Sequence, residues 1–384
     1  MAFYQFLPSY GGIEKHILSI SKELSKRNHK VSVITTNLFK LRPSNLTAAE
    51  NYGDIKVMRF RAFMLRNWMP ICPAAFFKHL PACDLLHIHS INLNVFMLPL
   101  QIRGQLKRLP IVITPHMHPD RLSAEYHHPL YRAYLREVVP MLLKKADAVI
   151  ALTPSEKKYY EDSGISGVFE IPNGVDLNLH RIESSKLIDF AKAHDSETKK
   201  VLFVGRMDEN KGLQTVIRSL PQVLKRHKDL KLYAVGAYTE YASQLQSLVR
   251  ELNCSDDVRF FFNVPNEDLP YFYEISDLVV MPSRQVEAQG IVLLESWAHK
   301  KPVLAINRGG MKDLISQGGG QVLNSFTRDS WGSMISEMLD DEHELRKLGN
   351  EGYKLVLEKY TWKHVADKIE KTYISAIRKH GLAK

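Results

Sequence analysis

The sequence predicts an α/β fold with parallel sheets in two domains. Short apolar runs alternate with longer amphipathic stretches from one end of the chain to the other, as in parallel sheets covered by helices. A polar stretch with helical tendency interrupts the alternation between residues 177 and 199 and is interpreted as a linker region. With 384 residues, the chain is long enough for two domains that each have a core of their own.

The first series of elements fills the N-terminal half. The apolar run at residues 2–7 predicts a strand, and apolar residues at helical spacing between Ile13 and Leu24 predict a helix. The turn Pro172-Asn173-Gly174-Val175-Asp176 closes the series. Further strands of this half are predicted at residues 31–35, 55–59, 85–89, 111–114, 148–152 and 168–171.

The second series starts with a strand and a glycine at residues 201–205. A last helix is predicted from about residue 362 to 380. The remaining strands of this half are predicted at residues 230–235, 258–262, 278–281 and 303–306.

Composition narrows the class of protein. The apolar share of 45% and the charged share of 24% are those of a globular protein, and no run of about 18 apolar residues predicts a membrane span. The N-terminus lacks the pattern of a secretion signal. Three cysteines, Cys72, Cys83 and Cys254, match neither a disulfide framework nor a zinc cluster. We therefore expect a cytoplasmic protein.

The net charge of +10 and the pI near 9.2 predict attraction to an anionic partner. No nucleic-acid-binding module is recognisable, which leaves phosphorylated substrates and phospholipid surfaces. The segment at residues 58–80 mixes basic with large apolar side chains and has no acid, which suits an anionic membrane surface. It would place the protein at the inner face of the membrane. The alternative is a loop packed on its own domain.

The stretch from Ser283 to Ile306 is the most informative. The buried-looking strand at residues 278–281 ends at Pro282, so Glu287 is predicted in a strand-to-helix loop and Glu295 on the helix. A fully helical span between the two carboxylates would separate them by on the order of 12 Å, about the reach from a sugar ring to the ribose of a nucleotide diphosphate. The helix N-terminus favours an anion. Alternatively, Glu295 is a solvated helix residue and Glu287 a loop charge.

A second basic loop follows the strand at residues 201–204. In it, Arg206 offers a planar fork of donors and Lys211 a mobile point charge, which suits a diphosphate. The alternative is a pair of surface charges. Its glycine spacing is not that of a P-loop, and the chain contains no Gly-x-Gly-x-x-Gly, which argues against a nicotinamide dehydrogenase.

The pattern Pro282-Ser283, Glu287, seven residues, Glu295, then Lys301-Pro302-Val303 resembles the donor-site signature of glycosyltransferase family 4. The usual form of the signature has Gly and an aromatic residue where Ala288 and Gln289 stand. The resemblance implies the GT-B fold, in which two Rossmann-like, doubly wound domains face a deep cleft. The domains would be an acceptor domain at residues 1–177 and a donor domain at 178–361, with the C-terminal helix at 362–384 packed back on the first.

The resemblance also implies a site. Gly12, Arg206 and Lys211 would bind the donor diphosphate, and Glu295 the ribose. Contacts to the donor sugar would come from the backbone and side chains of Ala288, Gln289, Gly290 and Ile291. The catalytic residues would be Glu287 and His116, the histidine two residues after a strand-terminal threonine. No metal is expected, since fixed cations hold the diphosphate and an Asp-x-Asp motif is absent.

The resemblance thus implies a retaining hexosyltransferase. It would move a sugar from a UDP- or GDP-sugar to a hydroxyl of a glycan or lipid-linked acceptor, in cell-surface polysaccharide or glycolipid synthesis. Three alternatives remain open: a nucleotide-sugar epimerase of the same architecture, a non-catalytic subunit that binds sugar nucleotides, and a metal-dependent hydrolase. The last would use His116, His118 and Asp120, whose spacing is that of metal ligands.

Overall fold

The computed structural model describes residues 1–9, 11–39, 42–65, 69–77, 80–90, 97–120, 133–178, 183–194 and 198–381. The chain forms two compact units. Unit 1 comprises Met1–Gly174 and Trp362–Lys384, and unit 2 comprises Val175–Thr361. The sequence predicts domain boundaries after residues 177 and 361. In the structure, the chain passes from one unit to the other after Gly174 and after Thr361.

The strands are formed mostly by apolar, β-branched runs. In chain order they are β1 (Ser32–Thr36), β2 (Leu38–Phe39), β3 (Arg42–Pro43), β4 (Ala49–Tyr52), β5 (Ile55–Phe60), β6 (Phe63–Leu65), β7 (Met69–Ile71), β8 (Leu86–His89), β9 (Ile111–Thr114), β10 (Ala148–Ala151), β11 (Val168–Glu170), β12 (Lys200–Val204), β13 (Lys231–Gly236), β14 (Val258–Phe262), β15 (Leu278–Met281), β16 (Val303–Ile306) and β17 (Gly320–Leu323).

The helices are mostly amphipathic and cover the sheets. They are α1 (Gly12–Ser25), α2 (Ala74–Phe77), α3 (Met97–Leu106), α4 (Val139–Leu143, after a π-helical turn at Tyr134–Val138), α5 (Pro154–Asp162), α6 (Ser184–Ala193), α7 (Leu213–Val223, after a 3-10 turn at Glu209–Lys211), α8 (Ala242–Glu251), α9 (Leu269–Ile275), α10 (Ile291–Ala298), α11 (Gly310–Ile315), α12 (Arg328–Asp340), α13 (Glu342–Lys359) and α14 (Trp362–Lys379).

Unit 1 contains a sheet whose two halves are joined at Ala2. One half has the order β1-β5-β4, in which β4 and β5 form an antiparallel hairpin. The other half has the order β11-β10-β9-β8 and is parallel. Ala2 bridges Ile34 of β1 and Ile88 of β8. Because β8 and β9 are parallel neighbours, the side chains at their carboxyl ends meet at one edge of the sheet.

Unit 2 contains a parallel sheet of six strands in the order β14-β13-β12-β15-β16-β17. Numbered within the unit, this is the doubly wound order 3-2-1-4-5-6, in which the direction of winding reverses between β12 and β15. The core on its two faces includes the fully buried side chains of Trp297, Trp331 and Tyr233. In such sheets, ligands bind beyond the carboxyl ends of the two strands at the reversal.

The C-terminal helix α14 belongs to unit 1, where it packs against α1 and β9. Its apolar face, with Val365 and Ile369, joins Ile20 and Leu24 of α1 in one buried cluster. A polar clamp adds to this contact. Arg27 Nη1 donates to Glu370 Oε2 over 3.0 Å, and His29 Nε2 lies 2.6 Å from Glu370 Oε1. Arg27 also pairs with Asp367 at 2.8 Å.

We expect Glu370→Gln to destabilise unit 1 at neutral pH by about 1 kcal/mol or less, because the pair is partly exposed. The hydrogen bond with His29, assisted by Arg27, lowers the pKa of Glu370. A carboxyl whose folded-state pKa is depressed stabilises the fold above its unfolded pKa, and this contribution disappears as the pH falls through the folded value. Urea unfolding should therefore show a difference that shrinks below about pH 4. A difference in unfolding free energy between variant and wild type that does not change with pH would contradict this expectation. Glu358→Gln, which removes the acid of the exposed pair with Lys354, is the control.

The apolar run at residues 2–7 is not the strand that the sequence predicts. Among the described residues of this run, Ala2 alone takes part in a bridge. Phe3 and Phe6 are buried in a side-chain cluster with Ile17, Val33 and others. The Phe3 N–H still donates to Ile34 O over 3.1 Å, so the start of the run is tied to the sheet by single backbone bonds and its phenylalanines are buried by side-chain packing.

The basic segment at residues 58–80 lies partly outside the described residues, at 66–68 and 78–79. The prediction that it presents its arginines to a surface is wrong for Arg59, which is buried in β5. Arg59 donates to Leu7 O and Thr47 O and pairs with Glu50. These acceptors satisfy Nη1 and Nη2, whereas the buried Nε has no partner among the described residues. Arg61 and Phe63, in contrast, are exposed.

Within the described parts of the chain, none of the helices combines the length and hydropathy that crossing a membrane requires.

Candidate functional site

Two loops lie side by side at the carboxyl edge of the unit 2 sheet, because β12 pairs with β15. The first, residues 205–212, contains the 3-10 turn at Glu209–Lys211, which Asp208 caps by accepting from the Lys211 N–H. The second, residues 282–290, ends at α10. Together they occupy the point where the winding of the sheet reverses, and they carry most of the predicted site residues.

The predicted cation Lys211 and the predicted acid Glu287 are in direct contact. Lys211 Nζ donates to Glu287 Oε1 over 2.5 Å, although 76 residues separate them in the sequence. Ser283 Oγ donates to the same oxygen over 3.0 Å. The Lys211 and Glu287 side chains are 22% and 20% exposed, so the pair is partly shielded from water and its charges act more strongly than at the surface.

Asn210 ties the two loops together through its backbone carbonyl. The carbonyl accepts from the N–H groups of Arg284, over 2.7 Å, and Gln285, over 3.1 Å. The following Gly212 has φ +76°, and a Cβ added to it would lie 2.0 Å from Pro282 O. Since only glycine adopts this conformation and permits this approach without strain, the spacing between the loops is set by backbone contacts.

Helix α11 supports the loop that carries Glu287. The Gly310 N–H donates to Glu287 O over 2.9 Å. A Cβ on Gly310 would lie 2.0 Å from Ala288 O, so the loop rests directly on the backbone of the helix. Of the predicted sugar contacts in this region, Gln289 is buried, and Ala288, Gly290 and Ile291 are half-buried.

Glu295 lies inside the unit and not on its surface. Its side chain is buried on α10, and its Oε2 accepts a hydrogen bond from Tyr273 Oη over 2.8 Å. Burial and the neighbouring Glu295 carboxylate raise the pKa of Tyr273 well above its usual value, so the tyrosine stays a donor. The alternative that Glu295 is a solvated helix residue is therefore wrong.

The other predicted phosphate ligands, Arg206 and Gly12, are exposed. Arg206 is 63% exposed, and its Nη2 lies 3.0 Å from Asp208 Oδ2. Gly12 is the first residue of α1, in unit 1, and is exposed. In the same helical turn, Glu14 is buried, and this burial raises its pKa to about 7. Lys211 is thus the predicted phosphate ligand that the structure holds against Glu287.

Three histidines converge at the carboxyl edge of the unit 1 sheet. His16 comes from α1, His89 ends β8, and His116 follows β9. One ring nitrogen of each lies within 4.8 Å of one from each of the others. His89 Nδ1 is 3.2 Å from His116 Nε2, and His16 Nδ1 is 2.7 Å from Asn173 Oδ1. His116 has φ +52°, a backbone conformation uncommon for residues other than glycine. This conformation sets the direction in which the side chain leaves the backbone.

The histidine cluster is uncharged at neutral pH. Burial lowers the pKa of His16 to about 4, and it lowers the pKa values of His89 and His116 well below their usual range, with repulsion from neighbouring histidines adding to the effect. His87 borders the cluster, with Nε2 at 2.8 Å from Thr114 Oγ1 and Nδ1 at 2.6 Å from Tyr373 Oη.

The triad of the hydrolase alternative is not assembled. His118 Nδ1 lies 3.7 Å from Asp120 Oδ2 and accepts the Asp120 N–H over 3.3 Å. However, within the described residues, the convergent group of three potential ligands is His16, His89 and His116, without His118 or Asp120. Arg121, which follows the motif, lies outside the described residues.

Sequence reasoning missed several residues that build these sites. The sequence places Ser283 in a motif without a role of its own and gives Tyr273 and Gly310 no role. It predicts Asn173 as a turn residue, although Asn173 also holds His16. The Asn210 carbonyl has no sequence signal, because any residue supplies one. A glycine pair after a predicted strand, Gly309-Gly310, is the one signal that sequence alone offered.

Solved structures share this architecture. Sucrose-phosphate synthase from Thermosynechococcus elongatus superimposes with a TM-score of 0.79 at 20% identity, covering 96% of this chain and 94% of that chain. HepE from Anabaena, solved with UDP and glucose, gives a TM-score of 0.76 at 19% identity, covering 97% of this chain and 99% of that chain. The fold is that of the GT-B glycosyltransferases, as the sequence predicts.

Sequence comparison defines the family. A family model described as "Glycosyl transferases group 1" matches residues 184–355, and one described as "Glycosyltransferase Family 4" matches residues 10–179. The D-inositol 3-phosphate glycosyltransferase of Corynebacterium diphtheriae is 25% identical over 399 residues, covering 94% of this chain and 89% of that protein. The chain belongs to glycosyltransferase family 4, and the predicted resemblance is confirmed.

Proposed function

We propose that this glycosyltransferase moves a hexosyl group from a UDP- or GDP-sugar to a hydroxyl of a glycan or lipid-linked acceptor, with retention of anomeric configuration. The product would serve cell-surface polysaccharide or glycolipid synthesis. The observation that carries the proposal is the 2.5 Å contact between Lys211 and Glu287 at the winding reversal of the unit 2 sheet. A nucleotide-sugar donor is supported by HepE, which was solved with UDP and glucose.

Lys211 and Arg206 are proposed to hold the donor diphosphate. Breaking the glycosidic C–O bond develops negative charge on this leaving group, and fixed cations stabilise that charge without reorganising. Lys211 is held in a partly shielded position by Glu287, whereas Arg206 projects from the same loop into solvent. The lysine would thus act on the bond-breaking step and the arginine on capture of the donor.

Glu287 is proposed to act on the sugar. Its carboxylate accepts from Ser283 and Lys211, so its position is fixed before any ligand binds. A carboxylate beside the ring holds sugar hydroxyls and favours the positive charge that develops on the ring, as in glycoside hydrolysis. Backbone and side-chain groups of residues 288–291 would complete the sugar contacts.

Glu295 is proposed to bind the ribose. An ionised carboxylate accepts several hydrogen bonds, and Tyr273 Oη donates one of them to Oε2. Tyr273 would also keep the carboxylate oriented. His116 and Gly12 belong to unit 1; their contacts with the sugar and the diphosphate follow from family resemblance and stay predictions.

The first test is binding, followed by product analysis. UDP or GDP should raise the Tm of the chain more than ADP at equal concentration. The matching nucleotide sugar, with an acceptor extract, should then give a glycosylated product and free nucleotide diphosphate. An altered donor released without acceptor would identify an epimerase. Binding without any turnover would identify a non-catalytic subunit, and either result would contradict the proposal.

We expect transfer to persist after metal is removed. The cations proposed on the diphosphate are Lys211 and Arg206, so the mechanism requires no divalent ion for the leaving group. Turnover in excess EDTA should therefore equal or exceed that of the untreated enzyme. Loss of turnover that Mn²⁺ or Zn²⁺ restores would contradict this and would favour the hydrolase alternative.

We also propose that unit 1 docks on an anionic membrane surface. Residues 55–119 contain one acid, Asp84, and eight Lys or Arg residues. The exposed rings of Phe76 and Phe77 lie on α2, which packs against α3. Helix α3 exposes three apolar side chains at spacings of one helical face. They are Leu98, Ile102 and Leu106. Basic residues around exposed apolar ones suit anionic headgroups and the outer acyl region.

The double variant Phe76→Ser/Phe77→Ser should lose most of the binding to phosphatidylglycerol vesicles in a sedimentation assay. Wild-type binding should weaken as salt rises, because the basic residues act through screened charges. Leu357→Ser, which removes a 43%-exposed apolar side chain of unit 2, is the control and should bind like wild type. Wild-type protein that fails to sediment with these vesicles at low salt would remove the membrane proposal.

A further inference from the structure

The histidine cluster of unit 1 has the composition of a metal site. His16, His89 and His116 each contribute a ring nitrogen within 4.8 Å of the others. The imidazole nitrogen is a preferred ligand of Zn²⁺, Cu²⁺ and Ni²⁺. We propose that His16, His89 and His116 form a three-histidine site for a divalent transition metal, best suited to Zn²⁺.

The spacing of the nitrogens fits this metal. Two imidazoles on one tetrahedral zinc, with Zn–N bonds of about 2.0–2.1 Å, hold their ligand nitrogens about 3.3 Å apart. His89 Nδ1 and His116 Nε2 already lie 3.2 Å apart. A zinc ion can thus replace the proton between these two rings. The His16 nitrogen lies within 4.8 Å of both and would have to move closer to bind as the third ligand.

His16 is prepared for this role by Asn173. The 2.7 Å contact assigns the Nδ1 proton of His16 to a bond with Asn173 Oδ1, which leaves the Nε2 lone pair available for a metal. Among the described residues, neither His16 Nε2 nor His89 Nε2 has a hydrogen-bond partner, although both atoms are buried. Buried polar atoms without partners are costly, and a metal ion would offset that cost for His16.

The site would have one partly exposed ligand and an open position. His16 and His89 are buried, whereas His116 is partly exposed, so His116 is the ligand that an ion from solvent would meet first. Three protein ligands leave a fourth position for water or another ligand. Because His116 is also proposed to contact the transferred sugar, bound zinc should lower transfer. That consequence rests on the proposed function, whereas metal binding does not.

Cobalt substitution tests the site directly. Tag-free, EDTA-treated and dialysed chain should bind one Co²⁺, giving the intense visible bands of tetrahedral coordination, and Zn²⁺ should displace it. His16→Gln and His89→Gln should abolish the bands. His118→Gln is the matched control, a buried histidine of the neighbouring motif, and should keep them. Asn173→Ala keeps all three ligands and should weaken zinc binding about 10- to 100-fold.

Different outcomes separate the possible errors. Absence of tetrahedral Co²⁺ bands in the folded wild-type chain would overturn the site. Loss of the bands in His118→Gln with retention in His16→Gln would move the metal to the sequence motif and also overturn it. If His16→Gln and His89→Gln fail to fold, the zinc titration of Asn173→Ala becomes the deciding measurement. A zinc affinity equal to that of wild type would then count against the proposal. Transfer that zinc leaves unchanged, with metal binding intact, would contradict only the role of His116.

Discussion

Replacing Lys211 with alanine should lower kcat/KM for the nucleotide sugar by about 30- to 1,000-fold, which corresponds to about 2–4 kcal/mol of transition-state stabilisation. The ammonium group is the partly shielded cation closest to Glu287, and the charge it stabilises grows as the glycosidic bond breaks. Because the contribution is largest in the transition state, kcat should fall along with donor affinity. Steady-state kinetics with the preferred donor provides the measurement.

Lys231→Ala is the matched control for this variant. Lys231 is 17% exposed in the same unit and pairs with Asp257 at 3.3 Å, so its loss also breaks a partly buried ion pair. The control should leave kcat/KM within about threefold of wild type, since Lys231 lies on β13 away from the two loops. Equal losses in the two variants would show that Lys211 acts through stability alone, and an unchanged kcat/KM in Lys211→Ala would show that it is peripheral.

Gly212→Ala should destabilise unit 2 by about 2–5 kcal/mol, the sum of a left-handed backbone cost and an overpacking cost. The added Cβ would lie 2.0 Å from Pro282 O, and the backbone cannot retreat without separating the two loops. Donor binding should weaken at the same time, because the separation moves Lys211 away from Glu287. Thermal unfolding with and without the preferred nucleotide measures both effects.

Gly53→Ala isolates the steric part of this effect. Gly53 has φ +59°, close to that of Gly212, but a Cβ there meets nothing within 4 Å. It should therefore cost only the backbone term of about 1–2 kcal/mol and leave nucleotide binding intact. If Gly212→Ala is no more destabilising than Gly53→Ala, the close approach of the two loops is not what fixes their spacing.

Much of the fold follows from the sequence, and the failures have physical reasons. Strands β9, β14, β15 and β16 match their predicted bounds, because each is a short apolar run between polar or turn residues. Strand β4 has no signal in the sequence because its residues are largely polar and exposed. It is held as a strand by antiparallel backbone pairing with β5 in a hairpin, and not by burial of apolar side chains. Strand β17 was missed because it begins in a run of glycines, which have low strand propensity.

The sequence names candidate site residues, but it does not predict which of them are in contact. Lys211 and Glu287 were recognisable from their motifs, yet their contact depends on β12 and β15 being neighbours, which no local pattern records. The burial of Glu295 depends on Tyr273, which a different helix supplies.

The histidine cluster could not be predicted from the sequence for a similar reason. Its members come from a helix and two strand ends, and only the fold brings them together. His116 and His118 share a suggestive spacing in the sequence, yet the partners of His116 prove to be His16 and His89.

The most direct test of the account is a structure determined with an intact nucleotide sugar bound. We predict diphosphate oxygens within about 3.2 Å of Lys211 Nζ and the Arg206 guanidinium, with a sugar hydroxyl at Glu287 and ribose at Glu295. A ligand bound away from the loops at residues 205–212 and 282–290, or one from which these four side chains point away, would contradict this donor site.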